Sequence, residues 1–203
     1  VIDADGHYVE DGRIATSPAA VARWCRVLPA ARIVIESSTH SPWLSRAVAA
    51  AGHEVIVANA RRVQLIAQSD SKSDRVDAEL LARLGRADPQ LLAPVHHRTA
   101  DTQAALAQLR TRDALVRART LLVNHVRGST KAAGGRMPKC STESFPRQAA
   151  AALPASLAPA LTPVLSEISG LTQAIRQADR AVATLVATTY PEAQALAQGA
   201  GVG

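Results

Sequence analysis

Residues Arg32 to Ala58 read RIVIESSTHSPWLSRAVAAAGHEVIVA, and this stretch decides the fold. Arg32-Ile33-Val34-Ile35-Glu36 is a short β-branched run, hence a buried strand that closes on a carboxylate. Ser41-Pro42 opens a helix, a hydroxyl followed by proline in the first turn, and Gly52 stops it. His53-Glu54-Val55-Ile56-Val57-Ala58 is a second buried strand. Strand, helix and strand at this spacing form a βαβ unit, so the two strands are expected to lie parallel in one sheet.

Toward the N-terminus, Thr16-Ser17-Pro18 starts another helix, which runs to about Leu28 and stops at Pro29. Val1-Ile2 reads as the end of a strand. His7–Ala15, with Asp11-Gly12 inside it, is expected to form a hairpin or a strand after a turn. Toward the C-terminus, the stretch from Ser73 to about Arg86 is helical, with Val76, Leu80, Leu81 and Leu84 on one side, and Asp88-Pro89 breaks it.

Residues 100–131 form one long helix. Leu109, Val116 and Val123 make one stripe, and Leu115, Leu122 and Val126 a second. Arg112 and Arg119 run between the stripes, Arg110 and Arg117 outside them. Gly134–Pro146 is expected to be loop. Beyond it, Leu161, Ile168, Ile175 and Val182 recur seven apart and interleave with Val164, Leu171, Ala178 and Leu185. Such heptads suit a two-stranded coiled coil between chains. They equally suit an antiparallel hairpin with helix 100–131 inside one chain.

Composition bounds the function. The chain has 203 residues, about one or two domains, and 47% of them are hydrophobic. The two cysteines, Cys25 and Cys140, exclude a disulfide scaffold and a cysteine-based zinc cluster, and they suit a reducing cytoplasm. No apolar run approaches the ~20 residues that span a bilayer, and no charged-then-apolar leader is visible. G-x-G-x-x-G, Walker, C-x-x-C, H-E-x-x-H and G-x-S-x-G patterns are all missing, so nucleotide, redox, zinc and serine-hydrolase readings have no support.

The net charge of +6 is local. Residues 1–100 carry 12 basic and 11 acidic side chains, residues 140–203 carry 3 and 4, and residues 101–139 carry 8 and 2. The basic residues are mostly Arg, which forks onto phosphate, so the excess points to a nucleic acid. Biased composition with a solvated helix face is the plainer explanation.

Three acids stand where chemistry would want them. Glu36 closes a buried parallel strand, and ligand sites of open α/β sheets lie at the carboxyl ends of strands. Asp74 and Asp77, three apart at a helix start, share a face. Together they could hold one or two Mg²⁺ ions, with Lys72 and Arg75 flanking them to hold phosphate. Aspartates in a first helical turn also simply complement the helix dipole. His96-His97 reads as solvated or phosphate-facing and His53 as structural.

Several blocks resemble one family. They are Val34-Ile35-Glu36, Trp43-Leu44, Gly52-His53-Glu54-Val55 and Ala58-Asn59-Ala60-Arg61-Arg62-Val63. Lys72-Ser73-Asp74-Arg75-Val76-Asp77-Ala78 with Leu80-Leu81-Ala82-Arg83, Asp88-Pro89-x-Leu91-Leu92-x-Pro94 and the arginine-rich Leu109–Arg127 follow in the same order. Most of residues 1–150 is similar in this way to the insertion-sequence one-ten family of transposases, the DEDD type.

The resemblance implies an RNase-H-like, RuvC-type α/β domain followed by a long helical coiled-coil region, with boundaries 1–98 and 99–190. Residues 191–203 would then open a C-terminal transposase domain. Four acidic metal ligands belong to the family pattern, and carried over residue by residue Glu36 is the second, Asp74 the third and Asp77 the fourth. The first lies on an upstream strand that residues 1–16 do not match. Asp3 and Asp5 sit on the turn side of the wrong strand. The family's nucleophilic Ser would follow Gly201-Val202-Gly203.

The chain is therefore expected to be truncated at both ends and to be an incomplete, inactive fragment of a cytoplasmic DNA transposase, with Mg²⁺ as the cofactor of complete relatives. Arg110, Arg112, Arg117, Arg119, Arg127 and Lys131, with Lys72 and Arg75, are its expected nucleic-acid contacts, to DNA or to a structured guide RNA. A homodimer through the coiled coil and no membrane association complete the expectation. The competing readings are a non-enzymatic, dimeric, arginine-rich nucleic-acid-binding remnant and a residual nuclease.

Overall fold

The computed structural model describes residues 1–66 and 74–193. The chain divides into two compact units, Val1–Ala100 and Asp101 onward.

The first unit is built on two parallel strands, β1 (Arg32–Glu36) and β2 (Glu54–Ala58), paired from Arg32 opposite Glu54 to Glu36 opposite Ala58. The helix between them, α2 (Ser41–Ala50), makes this the expected βαβ unit. Gly52 follows it at φ 92°, the left-handed conformation that ends a helix without a Cβ clash. Alternate strand residues face opposite sides of the sheet. Ile33, Ile35 and Val55 pack on α2 and on α1 (Pro18–Val27), around Val21, Cys25 and Val48. Val34, Ile56 and Ala58 face α3 (Ala60–Ile66), α4 (Asp74–Ala87) and a 3-10 turn (Pro89–Leu92), around Val63, Leu81 and Leu92. Helices on both faces explain why these strands are apolar throughout. Ser17 caps α1 by accepting from the Ala20 amide at 3.4 Å.

His53 is buried, with Nε2 3.2 Å from the Cys25 carbonyl oxygen, a structural role as expected. Two local readings are corrected. Asp11-Gly12 is not the N-terminal turn. A single antiparallel bridge joins Ile2 to Tyr8, and the turn is Asp3–His7, where Asp3 Oδ1 accepts from the amides of Asp5 (3.0 Å) and His7 (2.8 Å). An aspartate that satisfies two turn amides outweighs the Asp-Gly signal further on. Helix α3 was not expected. Its start is capped from outside, by Ser37 Oγ on the Ala60 amide (3.1 Å) and Asn59 Oδ1 on the Arg61 amide (3.0 Å).

The second unit holds α5 (Ala100–Ala132), α6 (Phe145–Ala152) and α7 (Ala158–Thr189). Their core is Val123, Val126, Phe145, Ala149, Leu161, Leu165 and Ile168. Two contacts show that α5 and α7 run antiparallel within the chain. Arg112 pairs with Asp179, and Arg119 reaches Thr172, so rising numbers on α5 meet falling numbers on α7.

The buried seam of α7 is Leu161, Leu165, Ile168, Thr172 and Ile175. Val164, Leu171, Ala178 and Leu185, expected inside, are only half-buried. Leu109 of the expected α5 stripe is 44% exposed and stands outside the core that holds Val123 and Val126. Pro146 does not close the expected loop. It sits in the first turn of α6, where its missing N–H costs nothing. Among the described residues no helix is long and apolar enough to cross a membrane.

Candidate functional site

Glu36 ends β1 at the carboxyl edge of the sheet with its side chain exposed. The backbone around it is tightly held. The Ser37 amide donates to the Ala58 carbonyl (2.9 Å), continuing the strand pairing by one residue. The edge of β2 away from β1 is covered by the segment after the 3-10 turn. There the Asn59 amide donates to the Leu92 carbonyl (2.9 Å) and the Val95 amide to the Val57 carbonyl (2.8 Å). This segment carries His97 to the start of α2, where Nε2 lies 2.8 Å from Ser41 Oγ. Ser41 is fully buried. Its hydroxyl donates to the Ser38 carbonyl (2.8 Å) and accepts from the Ser38 amide (3.0 Å). One hydroxyl carries one proton, so His97 is the donor to Ser41 Oγ, through Nε2–H. Sequence reading saw Ser41 only as a helix start and left His97 solvent- or phosphate-facing, because a contact across 56 residues leaves no local pattern.

Asp74 and Asp77 occupy the first turn of α4, Asp74 exposed and Asp77 half-buried. The other end of α4 is seated on β1. Gly85 packs directly on Val34, and Arg32 NH1 donates to the Gly85 carbonyl (2.9 Å) while its Nε pairs with Glu54 (2.9 Å). Arginines of α4 also hold the N-terminal turn, Arg83 on the Gly6 carbonyl (3.3 Å) and Arg86 on the Ala4 carbonyl (3.1 Å).

Between α4 and the N-terminal segment lies a cavity of about 300 Å³, lined among others by Tyr8, Asp11, Arg13, Asp74, Arg75 and Glu79. Arg75, expected on phosphate, is instead paired with Asp11 (2.8 Å) and sits over the Tyr8 ring, 5.7 Å from its centroid. Partial burial, with the neighbouring Asp11 carboxylate, pushes the Tyr8 phenol above its ordinary value. Lys72 lies outside the described residues.

The fold thus places Glu36 at a strand end and Asp74 and Asp77 at a helix start, but does not gather the three. Among the described residues only Asp3, Asp5 and His7 have three potential ligand atoms within 4.8 Å of one another, and all three are exposed. That group is the N-terminal turn. Asp3 Oδ2 lies 3.4 Å from His7 Nδ1, and the His7 backbone amide is the main reason the Asp3 carboxyl titrates below its usual range. Carboxylates are the right donors for a hard cation such as Mg²⁺. The present separation of Glu36, Asp74 and Asp77 does not make one three-carboxylate cage.

On α5 the expected arginine rails divide. Arg112 is paired with Asp179 (2.8 Å) and Arg117 with Asp113 (2.8 Å). Arg119 is half-buried, with NH1 3.5 Å from Thr172 Oγ1. Arg110 and Lys131 are exposed, and Arg127 lies over the Phe145 ring, 5.2 Å from its centroid.

No curated protein and no solved structure matches the chain. Residues 1–131 match the family model described as a transposase, of the DEDD type named IS110.

Proposed function

The chain belongs to the DEDD transposases of the IS110 family, and from that premise we propose that it serves DNA transposition, with Glu36, Asp74 and Asp77 as acidic ligands of a divalent metal ion. The family match carries the reading, because residues 1–131 include all three acids and most of α5. Three further features support it. Glu36 stands at the carboxyl edge of a parallel sheet, the place where α/β folds bind ligands. Asp74 and Asp77 lie three apart, one helical step on the same face. The excess of positive charge lies within residues 101–139, a suitable counterpart for a polyanion.

In this reading the first unit is the RuvC-type domain and Mg²⁺ is its ion. A bound divalent ion would supply charge neutralisation at a scissile phosphate. Ligation of one ion by all three acids requires their carboxylates to come closer together than they stand here. DNA is the expected partner, with a structured RNA as a second polyanion for the same cations.

The test is metal binding in the presence of duplex DNA. Mn²⁺ serves as the probe, and the free ion is followed by electron paramagnetic resonance. The expected result is a tight site weakened at least tenfold by Glu36→Gln, by Asp74→Asn and by Asp77→Asn, while Asp5→Asn leaves it in place. Equal binding in all four variants would remove the three acids from the site.

A further inference from the structure

The structure assigns a preformed phosphodiester-binding groove to the C-terminal end of α5 and the loop that follows it. The groove has a volume of about 580 Å³ and is lined by Arg127, Lys131, Arg136 and Lys139, with Gly134, Gly135, Met137 and Pro138 between them. No carboxylate lines it. Neither rail nor loop is special by charge alone. What sets these four cations apart is that they line one groove without an acid among the described residues to pair with, whereas Arg112 and Arg117 on α5 each have an acid at 2.8 Å and the equally unpaired Arg110 and Arg119 lie outside the groove. The next acid along the chain, Glu143, is held by Arg176 at 3.1 Å.

A helix C-terminus would ordinarily present bare carbonyls that offset such cations. Here two of them are covered. Gly134 adopts φ 78°, and its amide donates to the Lys131 carbonyl (3.0 Å) while the Gly135 amide donates to the Thr130 carbonyl (2.9 Å). This is a glycine cap that turns the chain back on the helix. Gly135 then passes so close that a Cβ there would stand 2.8 Å from Thr130 Cγ2, and Thr130 is fully buried. Met137 and Cys140 pack against the hydrophobic core of the unit. The loop is therefore pinned at both ends of its basic stretch. Arg136 and Lys139, on either side of Met137 and Pro138, remain exposed. Arg127 is held from below by the ring of Phe145, itself fully buried.

Four cations with no carboxylate between them match the charge of a sugar-phosphate chain, and phosphate contacts of this kind position a nucleic acid without reading its sequence. Because the loop is already folded, little ordering cost opposes binding. The inference rests on the proposed transposase reading for its polyanion and adds the place where that polyanion is held.

The experiment uses the full 203-residue chain and two probes, a 20-base-pair duplex DNA of arbitrary sequence and a hairpin RNA, each titrated over a range of salt concentrations. The test variant carries Lys131→Gln, Arg136→Gln and Lys139→Gln. Arg127 is left in place because its removal would also disturb Phe145. A control variant with Arg23→Gln, Arg26→Gln and Arg180→Gln removes the same charge elsewhere. Unchanged helicity by circular dichroism certifies each fold.

The expected result is binding about tenfold or more weaker in the test variant at physiological salt. The slope of log K against log salt on DNA should fall by about 2 to 3, and the control should stay within about twofold of the parent. A larger loss on one probe says whether DNA or RNA supplies the phosphates. If the parent binds and the test variant binds equally well, or no worse than the control, the groove is overturned and the transposase reading stands. If the parent binds neither probe, the nucleic-acid reading itself fails and the groove with it.

Discussion

Arg112 on α5 and Asp179 on α7 meet at 2.8 Å, and the pair marks the antiparallel direction in which the two helices lie together. Both side chains are close to half exposed (44% and 48%), so the ion pair contributes only about 0–1 kcal/mol to stability. Its larger effect is on charge, because Asp179 neutralises an arginine that sequence reading assigned to nucleic acid. Asp179→Asn should therefore change the free energy of urea unfolding by less than about 1 kcal/mol. It should also release Arg112, raising affinity for duplex DNA and steepening its salt dependence by about one unit. A variant that unfolds far more easily would show that the pair contributes more than a surface ion pair, and one that binds DNA no better would show that the released Arg112 does not reach the duplex.

The seam of α7 makes a second prediction. Ile168 is fully buried in the core it shares with Val123, Val126 and Phe145, whereas Leu171 is half-buried. Ile168→Ala should cost about 2–5 kcal/mol through lost burial and the cavity left behind. Leu171→Ala should cost less, about 1 kcal/mol, since part of its surface is already exposed. Chemical denaturation of the two variants side by side checks the order. The reverse order would restore the heptad register read from sequence.

Half of that register holds, with Leu161, Ile168 and Ile175 buried, and the other half moves by one residue, Leu165 and Thr172 standing inside where Val164 and Leu171 were expected. Leu171 is more hydrophobic than Thr172, so periodicity alone puts leucine inside. Thr172 is buried because its hydroxyl donates to the Ile168 carbonyl of its own helix at 2.9 Å, which removes the cost of hiding it. By contrast the βαβ core was legible in full. Strands rich in Ile and Val, a Ser-Pro helix start and a glycine stop are all local signals, and each acts within a few residues of where it stands. Helix α3 was only half legible: Asn59 is a local cap on the Arg61 amide, but the Ala60 amide is capped by Ser37, 23 residues away in the chain.

The site divides along the same line. Glu36, Asp74 and Asp77 could be named from strand and helix ends and from the family resemblance. Whether they meet depends on how α4 sits, and that is set by distant contacts. Gly85 lies on Val34, Arg75 is held by Asp11, and Arg83 and Arg86 bind the N-terminal turn. The paired and unpaired arginines of α5 could not be sorted either, since the acid that takes Arg112 is 67 residues away.

The N-terminal turn should respond to acid. Amides, led by that of His7, stabilise the Asp3 carboxylate, so its carboxyl titrates below the unfolded value of 3.8. A carboxyl lowered on folding contributes its full stabilisation above the unfolded value and loses it as pH falls through the folded one. The turn should therefore loosen only under strong acid. Amide proton shifts of Asp5 and His7, followed by NMR from about pH 5 to pH 2, should move along one titration curve. Asp3→Ala should abolish that curve. Its survival in the variant would assign the turn's order to other groups.

The seating of α4 on the sheet is the last test, and its sign discriminates. In an open helix Gly85→Ala would stabilise the chain by about 1 kcal/mol through helix propensity. Here the added methyl would run into Val34 Cγ2, a β-branched side chain in β1 that is stiff at χ1. Overpacking of this kind costs about 1–3 kcal/mol and outweighs the propensity gain. Gly85→Ala should therefore lower stability, and α4 should move off the strand. The carbonyl that Arg32 binds would move with it, and so would Asp74 and Asp77 at the far end of the helix. Val34→Ala makes room for the new methyl, so the double variant should be more stable than the sum of the two single effects allows. Thermal melts of the four chains close this cycle. Additive losses, or a stabilised Gly85→Ala, would show that α4 does not rest on Val34.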